Sequence, residues 1–358
     1  MAEPRQEREG PRLKALSRVV ADLNPAPFAL VMATGIVSVA ASLLAMNAVA
    51  VVLLWANALF FIVLWALVLL RCAFFFSRVV ADLRDHVRGP GFFTTVAGTC
   101  VLGSQILIVG DAGAGVSAAF GLWFLGAFLW LLIMYAFFTS VMIRDAKPAL
   151  NAGIHGGWLI AVVATQSVSV LASLLAARAS DAGEALLFTA LCLFLVGGLL
   201  YVVIATLLFY RLLFFSLNAV GLPPVYWVSM GAAAITTLAG ARLILDAGLW
   251  AFLGEILPFL KGFTLLFWAT ATWWIPLLLI LGAWRHVRKR FPLRYETPYW
   301  SLVFPLGMYT ASTLVLSRAT GLAFLLEISR WFIWVALVAW AATFAGMAVA
   351  AVKGLRAD

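Results

Sequence analysis

The sequence predicts an all-α polytopic membrane protein: ten transmembrane helices paired as five helical hairpins in a quasi-fivefold ring, odd helices inside and even helices outside. Three observations point there. Of 358 residues, 65% are hydrophobic and 11% charged, with a mean hydropathy of +1.07, where a soluble domain holds roughly 45–50% apolar residues. Apolar runs of bilayer length follow one another from Pro27 to Val352 with no long polar interval. Polar residues then divide unequally between alternate runs, as set out below.

Residues 1–26 carry Arg5, Arg8, Arg12, Lys14 and Arg18, and no small-residue cleavage site follows the first apolar stretch, so the first helix is expected to stay in the membrane. Within this basic cytoplasmic segment, Leu13, Leu16, Val19, Val20 and Leu23 recur at helical spacing between Arg and Lys, the pattern of a helix lying on the inner leaflet. Residues 27–352 are expected to form a single ten-helix transmembrane domain, and 353–358 a short cytoplasmic tail. The ten spans fall at about 27–46, 48–70, 92–110, 116–143, 157–176, 185–209, 225–245, 258–283, 300–317 and 330–352.

Charge fixes the orientation. With the N-terminus inside, 19 of the 24 Lys and Arg lie in the N-terminal segment, in the loops after even spans and in the tail; Arg178, Arg242, Lys261, Arg318 and Arg330 do not. Both termini are therefore expected in the cytoplasm, in a multi-pass plasma-membrane protein. The net charge of +9 is accounted for by this bias without a nucleic-acid partner. Cys72, Cys100 and Cys192 lie far apart and form no C-x-x-C pair, which argues against a disulfide framework or a metal cluster.

The odd spans start with an aromatic residue at Phe28, Phe92, Trp158, Trp227 and Trp300, at spacings of 64, 66, 69 and 73 residues. The chain also repeats R-x-x-F-F after the second span (Arg71 to Phe75) and after the sixth (Arg211 to Phe215). A repeat of about 70 residues that leaves and returns keeps its topology, so its copies are related by an axis along the membrane normal. Five such hairpins make a ring.

The central 18 residues of the odd spans together hold 21 Ser, Thr, Asn and Gln, and those of the even spans 6. Hydroxyls are costly against hydrocarbon, which assigns the odd helices to the inner ring and the Trp-rich even helices to the lipid face. Thr34, Ser38 and Ser42, Thr95 and Thr99, and Thr165, Ser169 and Ser173 sit four residues apart, each on one helical stripe. With Ser229 and Thr236 they are the expected pore lining. Small and hydroxyl residues also serve simply as contacts between helices.

No Asp, Glu, Lys or Arg stands centrally in an odd span, and His86, His155 and His286 lie in or beside loops. An uncharged passage with a basic inner mouth at Arg84 to Arg88 and Arg285 to Arg294 favours small anions over cations or protons. Arg242, near the outer end of span seven, is a possible outer anion contact or an interfacial anchor. No metal-ligand spacing and no pair of intramembrane carboxylates occurs, so no catalytic residue, metal or cofactor is expected.

Three segments carry a family resemblance: Pro27-Phe28 followed by Met32-Ala-Thr-Gly35-Ile-Val-Ser38; Tyr226-Trp227 followed by Met230-Gly231 to Ile235; and Trp300 followed by Phe304-Pro305-Leu-Gly-Met308-Tyr309. They resemble the tellurite-resistance and dicarboxylate transporter family, which includes malic-acid transporters, sulfite efflux pumps and plant slow-type anion channels. Ala33 stands where the family's M-G-T-G has glycine. The resemblance implies ten helices, a pore in each protomer of a homotrimer, and a phenylalanine gate at Phe304 beside the helix-bending Pro305. Gly35, Gly231 and Met308, within the same motifs, join the expected lining. It also implies a C4-dicarboxylate (malate) or sulfite-type substrate, with chloride or nitrate as further permeants; a proton-coupled symporter of the same fold and, less favoured, a membrane-embedded enzyme are the alternatives.

Overall fold

In the computed structural model, residues 19–110, 113, 115–179 and 182–357 are described, with side chains through Lys353. Ten principal helices follow in order: α1 Ala29–Leu43, α2 Asn47–Phe74, α3 Phe93–Val109, α4 Gly115–Met142, α5 Ile160–Ala176, α6 Gly183–Phe214, α7 Val228–Leu245, α8 Leu257–Ala283, α9 Trp300–Thr320 and α10 Phe324–Ala357. No strand occurs among the described residues. Nine of these segments are long and apolar enough to cross a membrane, and α1, with 15 residues, is shorter than the expected span at 27–46. The tenth helix starts six residues earlier than expected and runs through the tail as far as Ala357. Residues 12–18 of the amphipathic N-terminal stretch lie outside the described residues; of its remainder, Val20 is buried and Val19 exposed.

The loop after α2 holds a short helix, Phe76–Leu83, that the hydropathy pattern had merged into a connection. The aromatic starts recur in structure. Phe28 precedes α1, Trp300 opens α9, and Phe92, Trp158 and Trp227 lie in 3₁₀ turns, Gly89–Phe92, Gly156–Leu159 and Pro224–Trp227, that lead into α3, α5 and α7.

Burial separates the two sets. The most apolar 18-residue stretch is 78–100% buried in the segments of α3, α5, α7 and α9, and 11–44% buried in α2, α4, α6, α8 and α10. α1 packs on α3, α3 on α5, α5 on α7, α7 on α9, and α9 returns to α1. Trp55, Phe128, Leu199, Trp273 and Trp331 stand outward on the even helices, where lipid rather than water is the solvent their side chains suit.

Every even helix gives a side-chain hydrogen bond to the odd helix that comes next. Asn57 of α2 donates to Gln105 Oε1 of α3 at 2.7 Å, Trp130 of α4 to Thr165 Oγ1 of α5 at 2.8 Å, and Tyr201 of α6 to the Ser229 carbonyl of α7 at 3.1 Å. Trp268 of α8 donates to Thr313 Oγ1 of α9, and Trp340 of α10 to Thr34 Oγ1 of α1, both at 3.0 Å. Inside the hairpins the direction reverses, with Ser38 Oγ donating to the Ala50 carbonyl and Ser169 Oγ to the Ala190 carbonyl, each at 2.7 Å.

The motif glycines set helix separation. A Cβ on Gly231 would lie 2.7 Å from Pro305 Cγ, and one on Gly35 would lie 2.6 Å from Val101 Cγ1 and 2.8 Å from Asn57 Nδ2. Glycine at these points lets α7 approach α9, and α1 approach α2 and α3. We expect Thr165→Val, Thr313→Val and Thr34→Val each to destabilise the detergent-solubilised protein by about 0.6–1.7 kcal/mol. Thermal unfolding is the measurement, with the exposed Thr206, which bonds only within its own helix, as the neutral control.

Candidate functional site

Two cavities lie on the same five helices. The first, of about 110 Å³, is bounded by the C-terminal halves of the odd helices alone. α1 contributes Ile36, Val39 and Leu43; α3 Val101, Ser104 and Ile108; α5 Ser167, Val170 and Leu174; α7 Ile235, Leu238, Arg242 and Leu245; and α9 Met308, Val315 and Arg318. The first four sets share the spacing i, i+3, i+7, a single helical face. The second, a vestibule of about 380 Å³, opens at the N-terminal ends of the same helices, with Ala29, Gly91, Ile160, Val225 and Ser301 on its wall beside Arg88, His155 and Arg211.

Phe304 lies between them. On α9, Ser301 lines the vestibule and Met308 the cavity, and Phe304 stands three residues after one and four before the other, on the same face. Its side chain is 1% exposed. Pro305 next to it has no N–H to offer the Ser301 carbonyl, which interrupts the helical hydrogen-bond ladder at the level of the ring. The corresponding stretches of the other four odd helices, around Met32, Thr94, Val163 and Ala232, are likewise buried.

Of the expected pore lining, Met308 lies on the cavity wall, as does Arg242, the candidate outer anion contact. Most of the expected hydroxyls are bonded within the protein. Thr34 and Thr165 accept from outer-helix tryptophans, Ser38 and Ser169 donate to outer-helix carbonyls, and Thr95, Thr99 and Thr236 bond to carbonyls three or four residues back. Ser173 donates to Asp246 Oδ2 at 2.5 Å, Ser42 is half-buried at the end of α1, and Ser229 Oγ is buried without a partner. Gly35 and Gly231 occupy helix contacts. The physical reason is that a hydroxyl facing an outer helix satisfies a donor or acceptor that lipid cannot. The hydroxyls that do face the cavity, Ser104 and Ser167, bond to the carbonyls of Cys100 and Val163.

The i, i+3, i+7 aliphatic register was present in the sequence as the signal for the cavity face. Arg318 and Arg211, both on cavity walls, carried no such signal, because only the fold shows which loop-proximal arginines converge.

Basic residues line both cavities. No Asp or Glu is among the residues lining either cavity. At the vestibule the N-termini of the odd helices converge, and their macrodipoles place partial positive charge there. At the other end, where C-terminal dipoles are negative, Arg242 and Arg318 stand in the last turns of α7 and α9 and Arg178 just beyond α5, its Nη1 on the Leu174 carbonyl at 2.7 Å. Arg242 also pairs with Asp246 at 3.1 Å. Of the basic loops expected at the inner mouth, Arg88 lines the vestibule, whereas Arg285 is buried, its guanidinium 4.2 Å from the Phe291 ring.

Comparison with known proteins decides the family. Residues 22–348 match the family described as voltage-dependent anion channel. The chain belongs to that family. It is similar to an uncharacterized membrane protein of Mycobacterium tuberculosis, 42% identical over 150 residues that span 41% of this chain and 75% of that protein. It is also similar to two uncharacterized transporters of Methanocaldococcus jannaschii. One is 25% identical over 334 residues, 91% of this chain and 92% of the relative; the other is 24% identical over 282 residues, 77% and 78%. The resemblance read from three short motifs therefore extends over most of the chain, and the protein is an anion channel or transporter by family.

His155 ties the vestibule wall together. Its Nδ1 accepts from the Gly157 N–H at 3.0 Å, which leaves Nε2 as the donor to the Val87 carbonyl, also at 3.0 Å. Burial holds its pKa below the ordinary histidine value; Arg211 pushes the same way, against the Val87 hydrogen bond and Asp85. The folded protein thus binds this proton less readily than the unfolded chain. Stability from His155 is complete above about pH 6.5 and is lost as pH falls through the lowered folded value. We expect the melting temperature in detergent to drop between pH 7.5 and pH 5, and the drop to shrink in His155→Gln.

Proposed function

We propose that this protein conducts small anions through a passage enclosed by α1, α3, α5, α7 and α9, arranged as a quasi-fivefold ring about the membrane normal, with Phe304 as the gate. The observation that carries the reading is the pairing of two cavities on one face of the same five helices, separated on α9 by a single buried phenylalanine. An anion enters the vestibule against converging helix N-termini, passes an aliphatic constriction at Phe304, and leaves past Arg242 and Arg318. Aliphatic walls with a hydroxyl at Ser104 and Ser167 bind an ion weakly, which suits passage better than retention.

The substrate class proposed is a C4-dicarboxylate such as malate, or sulfite, with chloride and nitrate as smaller permeants. The lysine and arginine bias supports a cytoplasmic vestibule and cytoplasmic termini in a plasma-membrane protein. The family resemblance supports a homotrimer in which each protomer holds its own passage.

Reconstitution into liposomes with chloride, nitrate, sulfite, malate and succinate tests the reading, the expected result being flux of at least one anion and none of potassium. Phe304→Ala joins the two cavities and is expected to raise that flux by on the order of tenfold, equivalent to about 1.4 kcal/mol of barrier. Unchanged flux in a folded Phe304→Ala protein rejects the gate. The same substitution should lower stability by about 3–5 kcal/mol, the usual cost of emptying a buried phenylalanine site.

A further inference from the structure

The two R-x-x-F-F segments put Arg71 and Arg211 at matching points of the repeat, but their surroundings differ. Arg71 is buried and pairs with Asp82 at 2.6 Å; Asp82 also takes Arg88 at 2.6 Å. Arg211 lines the vestibule and has no carboxylate within ion-pair distance among the described residues. Its Nε donates to the Asn151 carbonyl at 2.9 Å, and its guanidinium lies 5.7 Å from the centre of the Tyr226 ring. Its Nη1 is buried without an acceptor.

The Nη2 of Arg211 makes no hydrogen bond among the described residues and is not buried, and on a cavity wall such a guanidinium N–H is a donor that a ligand can satisfy. The main-chain and aromatic contacts hold the guanidinium plane in place before any ligand arrives, which lowers the ordering cost of binding. The fixed planar fork of Arg matches the two oxygens of a carboxylate or of a small inorganic oxyanion, which a spherical halide cannot bridge. The vestibule adds the N-termini of the odd helices and no acidic lining residue.

We propose that Arg211 is an oxyanion-docking residue of the vestibule, receiving a carboxylate or sulfite-type group before it reaches Phe304. This deepens the conduction reading, on which the docking order rests. It distinguishes Arg211 from Arg71, whose charge the same motif commits to an internal ion pair.

The test measures two things on full-length protein: malate and chloride flux in liposomes, and thermal stabilisation by malate in detergent, which reports binding without transport. Arg211→Gln is expected to raise the half-saturating malate concentration about tenfold or more, the worth of one charge-assisted hydrogen bond, and to abolish the malate-dependent rise in melting temperature. Arg211→Lys retains the charge but not the fork, and should weaken malate while leaving chloride within about twofold; it also serves where Arg211→Gln does not fold. Arg78→Gln, in an exposed pair with Asp22 away from the vestibule, is the control for loss of a positive charge on this side. Unchanged malate saturation and unchanged stabilisation in either Arg211 variant overturn the site while conduction stands. Equal losses for malate and chloride in Arg211→Lys overturn the oxyanion assignment. Absence of flux in the wild-type protein overturns the conduction reading instead, and the stabilisation measurement still decides whether Arg211 binds.

Discussion

The architecture depends on a hydrogen bond handed from each outer helix to the next inner one. Between helices in lipid there is little hydrophobic driving force, because acyl chains are as apolar as leucine, so close packing and polar contacts fix which helix neighbours which. Asn57, Trp130, Tyr201, Trp268 and Trp340 supply one donor per even helix, and each acceptor belongs to the following odd helix. These contacts fall between successive hairpins, where the short connecting turns within a hairpin impose nothing. They set the rotation of every inner helix about its own axis, and with it the residues that face the middle.

That rotation explains what could and could not be read from the amino-acid order. The excess of hydroxyls on odd spans correctly places those helices inside, since a buried hydroxyl needs a partner wherever it points. Its direction was open, because a threonine serves a pore and a neighbouring tryptophan equally well. Thr34 and Ile36, Thr99 and Val101, and Thr165 and Ser167 are each two residues apart, about 200° around a helix. The first of each pair meets protein, and Ile36, Val101 and Ser167 line the cavity. The three family motifs were legible for a different reason: Gly35, Gly231 and Pro305 sit where helices touch, so the steric demand is local. The boundaries of α1 and α10 were less legible, because hydropathy marks apolar length and says little about where a buried helix stops.

Electrostatics completes what packing begins. Helices α1, α3, α5, α7 and α9 begin at the vestibule and end beyond the smaller cavity, so their dipoles add, positive at the vestibule and negative at the far end. Left alone, the far end would repel an anion. Arg318, in the last turn of α9, offsets that sign, while Arg242, in the last turn of α7, is paired with Asp246. In the conduction proposed above, an uncharged middle would let an anion pass without being held.

The bond from Trp340 to Thr34 joins residues 306 positions apart, and this separation has a consequence for biogenesis. A chain delivered helix by helix into the bilayer holds α1, with only 15 residues, long before its last partner exists. The first four hairpins can associate as they emerge, but the contact of α1 with α10 waits until α10 has been made and docks against it. Maturation is therefore tied to the synthesis of α10, and a nascent protein truncated ahead of it would leave Thr34 without its Trp340 partner.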